Sequence, residues 1–167
     1  MHFPVQLVYL LMLALAEGLN TDESQRLAWA KAVELLIPCQ GHLVVSGMGK
    51  SGLVGAKISA TCSSLGLPSS FLHPSEAVHG DLGRIGPEDV ALLISNSGGT
   101  AEVVDLALHL RTDGVPTIGM SAHDDSPLAE SVSVHLRLAP PDATPDEACP
   151  WDCLLYTSDA ADDWWGG

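Results

Sequence analysis

Two short turns rich in glycine and serine carry the residue types that bind phosphate. The first is residues 46–52 (SGMGKSG) and the second is residues 95–100 (SNSGGT). Each follows an apolar run typical of a buried strand and precedes a helical pattern. The N–H groups that open a helix are unpaired and carry a partial positive charge, and small residues let an anion approach them closely. Two such turns predict a phosphorylated small molecule at the carboxyl ends of a parallel sheet.

The second turn places three hydroxyl groups around the start of a helix, those of Ser95, Ser97 and Thr100. Gly98 and Gly99 allow the chain to turn tightly between them. An ordinary N-cap serine would account for one hydroxyl but not for three. The arrangement therefore favours a phosphate monoester over a pyrophosphate.

The first turn also matches the GxGxxG pattern of dinucleotide-binding sites. That fingerprint requires an acidic residue about twenty positions later, at the end of the second strand, to bind the ribose. Here the second predicted strand ends at Leu72, and Glu76 lies beyond Pro74. A Walker-type phosphate loop fails as well, because Val44 stands where that loop requires glycine. Lys50 stands in the right place to support a bound phosphate.

Titratable side chains lie near both turns. Glu102 falls in the first turn of the second helix, where a carboxylate either shares the ligand cavity or simply favours the helix dipole. Its position alone leaves both interpretations open. The segment between the second and third predicted strands adds two histidines and two carboxylates: His73, Glu76, His79 and Asp81. These groups are candidates for proton transfer near neutral pH, although a single histidine is more often a structural hydrogen-bonding residue.

The composition limits the partners of this 167-residue chain. Seven Lys and Arg against 21 Asp and Glu give a net charge of −14, which argues against nucleic acid as a partner. A hydrophobic content of 46% excludes global disorder, and the length suits one domain. The four cysteines, at positions 39, 62, 149 and 153, are spaced too irregularly for a metal site and fit reduced cytosolic thiols.

Apolar runs alternate with helical patterns along the chain. Predicted strands cover residues 42–46, 69–72, 89–95, 116–121 and 133–138, and predicted helices cover residues 20–36, 50–65, 99–112 and 126–131. Residues 73–87 are predicted to be a turn-rich loop and residues 123–125 a solvated turn. Continuous apolar strands linked by helices predict a three-layer, doubly wound α/β sheet of about five parallel strands, with the ligand at the switch point of strand order.

Three regions are predicted. Residues 1–40 form an N-terminal helical segment, residues 41–150 the phosphate-binding domain, and residues 151–167 a disordered tail. The apolar run 5–16 resembles a signal peptide, but no Lys or Arg precedes it and it is too short to span a bilayer. We expect it to be a helix packed on the sheet or on a partner subunit of a cytoplasmic protein that does not associate with membranes.

Four segments together resemble a known family: residues 47–52, 73–83, 95–102 and 147–150. They occur in the same order and with similar spacing in the sugar-isomerase (SIS) domain of bacterial D-arabinose-5-phosphate isomerases. The resemblance covers roughly residues 28–150. It implies interconversion of D-ribulose 5-phosphate and D-arabinose 5-phosphate, without an organic cofactor and in a tetramer, for synthesis of the octulosonate sugar of lipopolysaccharide or capsule.

The resemblance also assigns roles to individual residues. Lys50 would be the electrostatic partner of the enediolate or the phosphate, while His79, Glu102 and Glu147 match the acid–base positions of the family. The phosphate end would be held by residues of both turns: Gly49, Ser51, Ser95, Ser97 and Thr100. No metal ligand is implied.

The sequence departs from the family at two places. Gly99 stands where many members carry Glu, and after Pro150 the expected helix, a further histidine and a pair of CBS regulatory domains are replaced. Residues 153–163 (CLLYTSDAADD) resemble translated sequencing-adapter read-through. We therefore expect a truncated or chimeric reading frame with weak or no isomerase activity, derived from an active parent.

Two alternatives stay open within the same fold. One is another SIS isomerase, such as a 6-phospho-3-hexuloisomerase, which the histidine-containing segment and residues 147–150 disfavour. The other is a non-catalytic sugar-phosphate-binding module of the kind found in some transcription regulators. No basic or helix-turn-helix segment precedes residue 40, which argues against a DNA-linked sensor.

Overall fold

Five short apolar strands form one parallel sheet in the computed structural model, which describes residues 23–138. The strands are β1 (Leu43–Gly47), β2 (Ser69–Phe71), β3 (Val90–Ile94), β4 (Thr117–Ser121) and β5 (Val134–Arg137). The helices are α1 (Glu23–Leu36), α2 (Gly49–Ser64), α3 (Pro74–Val78), α4 (Ala101–Thr112) and α5 (Pro127–Ser131). Each predicted strand and helix within these residues is confirmed, with described ends that differ from the prediction by at most two positions.

The order of the strands across the sheet is β2-β1-β3-β4-β5. The chain moves from β1 outward to β2, then returns to β3 on the other side of β1 and continues outward to β5. The reversal between β1 and β3 is the switch point predicted from the sequence. The three-layer, doubly wound fold is thereby confirmed.

Both faces of the sheet are buried, because alternate residues of each strand enter different hydrophobic cores. Val45 and Leu92 pack on the side of the sheet that α1 and α2 cover. Their neighbours Val44 and Leu93 pack on the opposite side, which α4 covers. The central strands β1, β3 and β4 are buried at every position. Burying one such aliphatic side chain contributes about 1.5–3 kcal/mol, so these strands anchor the turns that follow them.

Residues 73–87, predicted to be a turn-rich loop, contain helical structure, so that prediction is wrong in part. It holds the five-residue helix α3 and a 3-10 turn at Asp81–Arg84. Pro74 stands at the first position of α3, where its fixed φ suits a helix and its missing N–H costs nothing. Ala77 is fully buried against the core that contains α4. Tertiary packing therefore stabilises a helix too short to show a sequence periodicity.

Several predictions concern residues outside the described range 23–138. They are the apolar run 5–16, the start of the first helix at residue 20, the acid–base candidate Glu147 and the tail 151–167. Within the described residues, no helix combines the length and apolar character needed to cross a membrane.

Candidate active site at the carboxyl edge of the sheet

The two glycine- and serine-rich turns leave the sheet side by side. In the register of the neighbouring strands β1 and β3, Gly47 pairs with Ile94. Adjacent strands lie about 4.8 Å apart, so the first turn begins one strand spacing from the second. The structure thus places the two turns predicted to bind phosphate side by side at the carboxyl edge of the sheet, at the switch point.

The first turn depends on glycine for its shape. Gly49 has φ +53°, in the left-handed region that glycine adopts most easily. A Cβ added to Gly47 would lie 2.9 Å from the carbonyl oxygen of Ile94 and 3.1 Å from the backbone of Ser51. The chain therefore passes closely between β3 and the first turn of α2. Lys50 and Ser51 are half-buried in that first helical turn.

The second turn is organised by its own hydroxyl groups. The Oγ of Ser95 accepts a hydrogen bond from the N–H of Gly98 at 3.1 Å and lies 2.8 Å from Oγ1 of Thr100. Ser95 is only 2% exposed. The Oγ of Ser97 accepts from the N–H of Gly99 at 3.2 Å, and Ser97 is exposed. Ser95 thus holds the turn from inside, while Ser97 faces solvent.

The loop after β4 forms the floor of the second turn. The N–H of Ala122 donates to the carbonyl of Asn96, and the N–H of Leu128 donates to the carbonyl of Gly98, both at 2.9 Å. Gly98 has φ +66°, and an added Cβ would overlap the side chain of Ser126. The position of the turn is consequently set by residues about thirty positions further along the chain.

The acid–base candidates lie on elements next to these turns. Glu102 is half-buried in the first turn of α4, which starts at the second turn. His79 follows α3, and α3 packs against α4. The hydroxyl of Ser75 in α3 also lies 3.8 Å from the sulfur of Met48 in the first turn. The helix before His79 therefore contacts the first turn and packs on α4, while His79 itself is exposed.

A group of polar residues behind the second turn was not predicted from the sequence. Ser121, at the end of β4, contacts Ser126 and His135, and His135 faces Asp124. Asp124 belongs to the turn predicted to be solvated, and its side chain is indeed 53% exposed, but it also pairs with Arg137 at 2.7 Å. Serine and histidine come from different strands, so no local spacing signals this contact.

Among the groups that these contacts bring together, His135 has a shifted pKa. Burial lowers the pKa of His135 below 6.5, while the nearby carboxylate of Asp124 opposes the shift. Elsewhere, burial raises the pKa of the Cys39 and Cys62 thiols, so neither is an activated nucleophile. Residues 23–138 contain no group of three or more His, Cys, Asp and Glu side chains placed to bind a metal ion.

Comparisons with known proteins agree with this geometry. The sequence profile of the SIS domain matches residues 36–157. The chain is 50% identical over 122 residues to arabinose 5-phosphate isomerase KdsD of Pseudomonas aeruginosa, covering 73% of this chain and 36% of that protein. It is 42% identical over 146 residues to KdsD of Yersinia pestis, covering 87% of this chain and 43% of that protein. The chain thus spans about two fifths of these relatives.

A solved structure supports the same assignment. The protein c3406 of Escherichia coli CFT073, in complex with arabinose 5-phosphate, superposes with a TM-score of 0.66 at 36% sequence identity. The match covers 79% of this chain and 72% of that chain. The matched profile, the related sequences and the shared five-stranded architecture all lead to one conclusion. The chain belongs to the SIS domain family.

Proposed function

We propose that this chain is the sugar-phosphate-binding part of an isomerase that interconverts D-ribulose 5-phosphate and D-arabinose 5-phosphate. The observation that carries the proposal is the meeting of two anion-binding turns where Gly47 pairs with Ile94. Identities of 42–50% to relatives named arabinose 5-phosphate isomerase support the choice of substrate, as does the related structure with arabinose 5-phosphate bound.

The phosphate is held mainly by the second turn. The exposed hydroxyl of Ser97, Thr100 and the N–H groups that open α4 face the same end of that helix. Ser51 and the backbone of Gly49 contribute from the first turn. Ser95 acts from behind, because its buried hydroxyl already bonds Gly98 and Thr100. Amide donors suit a chain with net charge −14, since they attract a dianion without a cluster of basic side chains.

The reaction needs a proton acceptor and a stabilised enediolate. A base removes the proton beside the carbonyl, the oxygen gains negative charge, and the proton returns to the neighbouring carbon while hydroxyl and carbonyl exchange places. Lys50 supplies the positive charge for the enediolate or phosphate, and His79, Glu102 and Glu147 are the acid–base candidates. As the family resemblance implies, the proposal includes no organic cofactor, and it assigns no metal ligand.

The wider setting follows from the same family. We propose residues 41–150 as the sugar-phosphate domain, behind a helical segment at 1–40 and before a non-native tail at 151–167. The assembled protein would be a cytoplasmic tetramer that binds neither nucleic acid nor membranes. Its product would supply octulosonate synthesis for lipopolysaccharide or capsule.

Calorimetry and isotope exchange test the proposal on the 167-residue chain. We expect arabinose 5-phosphate to bind, and Ser97→Ala to weaken binding about tenfold, the loss of one charge-assisted hydrogen bond. Thr112→Ala is the matched control, because Thr112 lies at the opposite end of α4 and its hydroxyl donates only to Leu108. Its affinity should equal that of the unchanged chain.

Proton transfer is followed separately, as incorporation of solvent deuterium beside the carbonyl of the bound pentose phosphate. Incorporation supports the isomerase. Binding without incorporation fits both a truncated isomerase and the non-catalytic sugar-phosphate module, and the same measurement on the full-length parent distinguishes them: a parent that binds without incorporation would replace the isomerase by the module. Absence of binding to both pentose phosphates, or preference for a hexulose 6-phosphate, would overturn the proposed substrate.

A further inference from the structure

A hydrogen-bonded chain of side chains lies directly behind the second turn. Ser121 is fully buried, and its Oγ lies 2.9 Å from Oγ of Ser126 and 2.8 Å from Nε2 of His135. Nδ1 of His135 faces one carboxylate oxygen of Asp124 at 3.3 Å. The other oxygen of that carboxylate accepts a hydrogen bond from Arg137 at 2.7 Å. These hydrogen-bonded side chains thus connect β4, β5 and the loop between β4 and α5.

The order serine, histidine, aspartate is that of a hydrolase triad. A nucleophilic serine must reach the carbonyl carbon of an external substrate, whereas Ser121 has 0% exposure at the end of β4. Its hydroxyl also contacts Ser126, which caps α5. Covalent catalysis by Ser121 is therefore excluded, and the network must act through what it holds in place.

What the network holds is the floor of the second turn. Gly98 rests on Ser121 and Ser126 so closely that a Cβ on Gly98 would overlap Ser126 and lie 3.1 Å from Cβ of Ser121. The N–H of Gly98 donates back to Ser95, which organises the turn. A displacement of either floor serine would therefore move the amides at the start of α4.

His135 is one of three groups that the hydroxyl of Ser121 contacts. The carbonyl oxygen of His123 accepts a hydrogen bond from Oγ of Ser121 at 3.0 Å. Ser121 has a single proton, so in that arrangement its oxygen accepts from Ser126 or from an N–H at Nε2 of His135. Asp124 and Arg137 are the charged groups that act on the ring. The imidazole thus ties Ser121 to Asp124 and holds the buried serine in place beneath the turn.

We infer that His135 is a positioning residue for the phosphate-binding turn, acting through Ser121 and Ser126 on Gly98. Its distance from the turn along the chain is bridged by the pairing of β4 and β5, in which Gly119 lies opposite His135. The inference concerns the sugar-phosphate site proposed above and rests on that function.

Two measurements on the 167-residue chain test the inference: calorimetric binding of arabinose 5-phosphate and of inorganic phosphate, and NMR hydrogen exchange at the amide of Gly98. His135→Leu removes both ring contacts and should weaken binding about tenfold and speed exchange about tenfold, the loss of roughly one hydrogen bond. His135→Gln retains a hydrogen-bonding side chain beside the hydroxyl of Ser121 and should recover most of the affinity and of the slow exchange. If His135 only filled space, the leucine variant would instead keep more of the affinity and of the slow exchange than the glutamine variant.

Two further variants separate the possible outcomes. Ser126→Ala should reproduce the weaker binding and the faster exchange with the histidine unchanged. It replaces His135→Leu as the test if that variant does not fold. Asp125→Asn changes the exposed neighbour of Asp124 and should match the unchanged chain. If the unchanged chain binds neither ligand, the proposed function fails, while exchange at Gly98 still tests the positioning role. Unaltered exchange and binding in both His135→Leu and Ser126→Ala would overturn the inference.

Discussion

The two turns of the site are adjacent in space, yet they are built in different ways. The first turn is closely packed at Gly47 but open at Gly49, where an added Cβ would meet no heavy atom of the described residues within 4 Å beyond the adjoining chain. The second turn is fixed by side chains, because Ser95 bonds it from inside and Ser126 supports it from below. An open turn can adjust to a ligand, whereas a supported turn presents its donors already in place.

The difference suggests a division of labour. Preorganised donors bind a fixed charge well, because no reorganisation is needed when the ligand arrives. In the proposed reaction the second turn would suit the phosphate, which does not change. The first turn carries Lys50 and would suit the reacting end of the sugar, where atoms must move.

Replacing Gly98 should produce the largest effect and would break the support of the second turn. Gly98→Ala places a methyl group in the left-handed region and into Ser126, so we expect a loss of about 2–5 kcal/mol in the free energy of unfolding. Urea denaturation measures it. Gly99→Ala is the control, since its Cβ would meet only Ser97, at 3.9 Å, among the described residues. Equal losses in the two variants would contradict a rigid floor.

Gly49→Ala tests the first turn in the same way and should have a smaller effect. Its φ of +53° disfavours alanine, but no neighbour obstructs the new methyl group among the described residues. We expect about 1–2 kcal/mol from backbone strain alone. Gly83→Ala, which has neither positive φ nor a close neighbour in the described structure, should change stability by less than about 1 kcal/mol. A loss at Gly49 as large as that at Gly98 would remove the proposed contrast.

Two buried serines sharpen the comparison further. Ser95→Ala removes the acceptor for Gly98 and the partner of Thr100, and should cost about 1 kcal/mol. Ser46 is the first residue of the first turn and still lies on β1. It is fully buried, and its Oγ meets no hydrogen-bond partner among the described residues. Ser46→Ala should therefore be neutral or stabilising. Thermal denaturation of both variants compares them, and a destabilised Ser46→Ala would reveal a partner for that hydroxyl.

The sequence predicted those parts of the fold that depend on local patterns. The apolar runs of β1 and β3 indicate buried parallel strands, and the glycines and serines after them indicate anion-binding turns. It did not predict α3, because five residues are too few to show a helical period and its stability comes from burying Ala77. The sequence also did not predict the hydrogen-bonded side chains behind the second turn.

The contact of Ser121 with His135 depends on the register between β4 and β5. That register follows from tertiary packing and has no local signature. From the sequence, His135 is therefore indistinguishable from any other strand residue. Asp124 likewise reads as part of a solvated turn, although it pairs with Arg137. Turns that depend on backbone geometry are thus predictable from sequence, whereas their supports from distant strands are not.

The smallest expected effect is the pH dependence that His135 adds to the support of the second turn. Burial holds its pKa in the folded chain below the ordinary 6.5, so the unfolded chain binds more protons at pH values between the two pKa values. Stability therefore falls as the pH drops through 6.5 and levels off below the folded pKa. His135→Gln removes this pH-dependent contribution. The urea midpoint of the unchanged chain should therefore approach that of His135→Gln as the pH falls through that window. A constant difference across that window would mean that the folded protein does not disfavour the charged ring, and that Asp124 offsets burial fully.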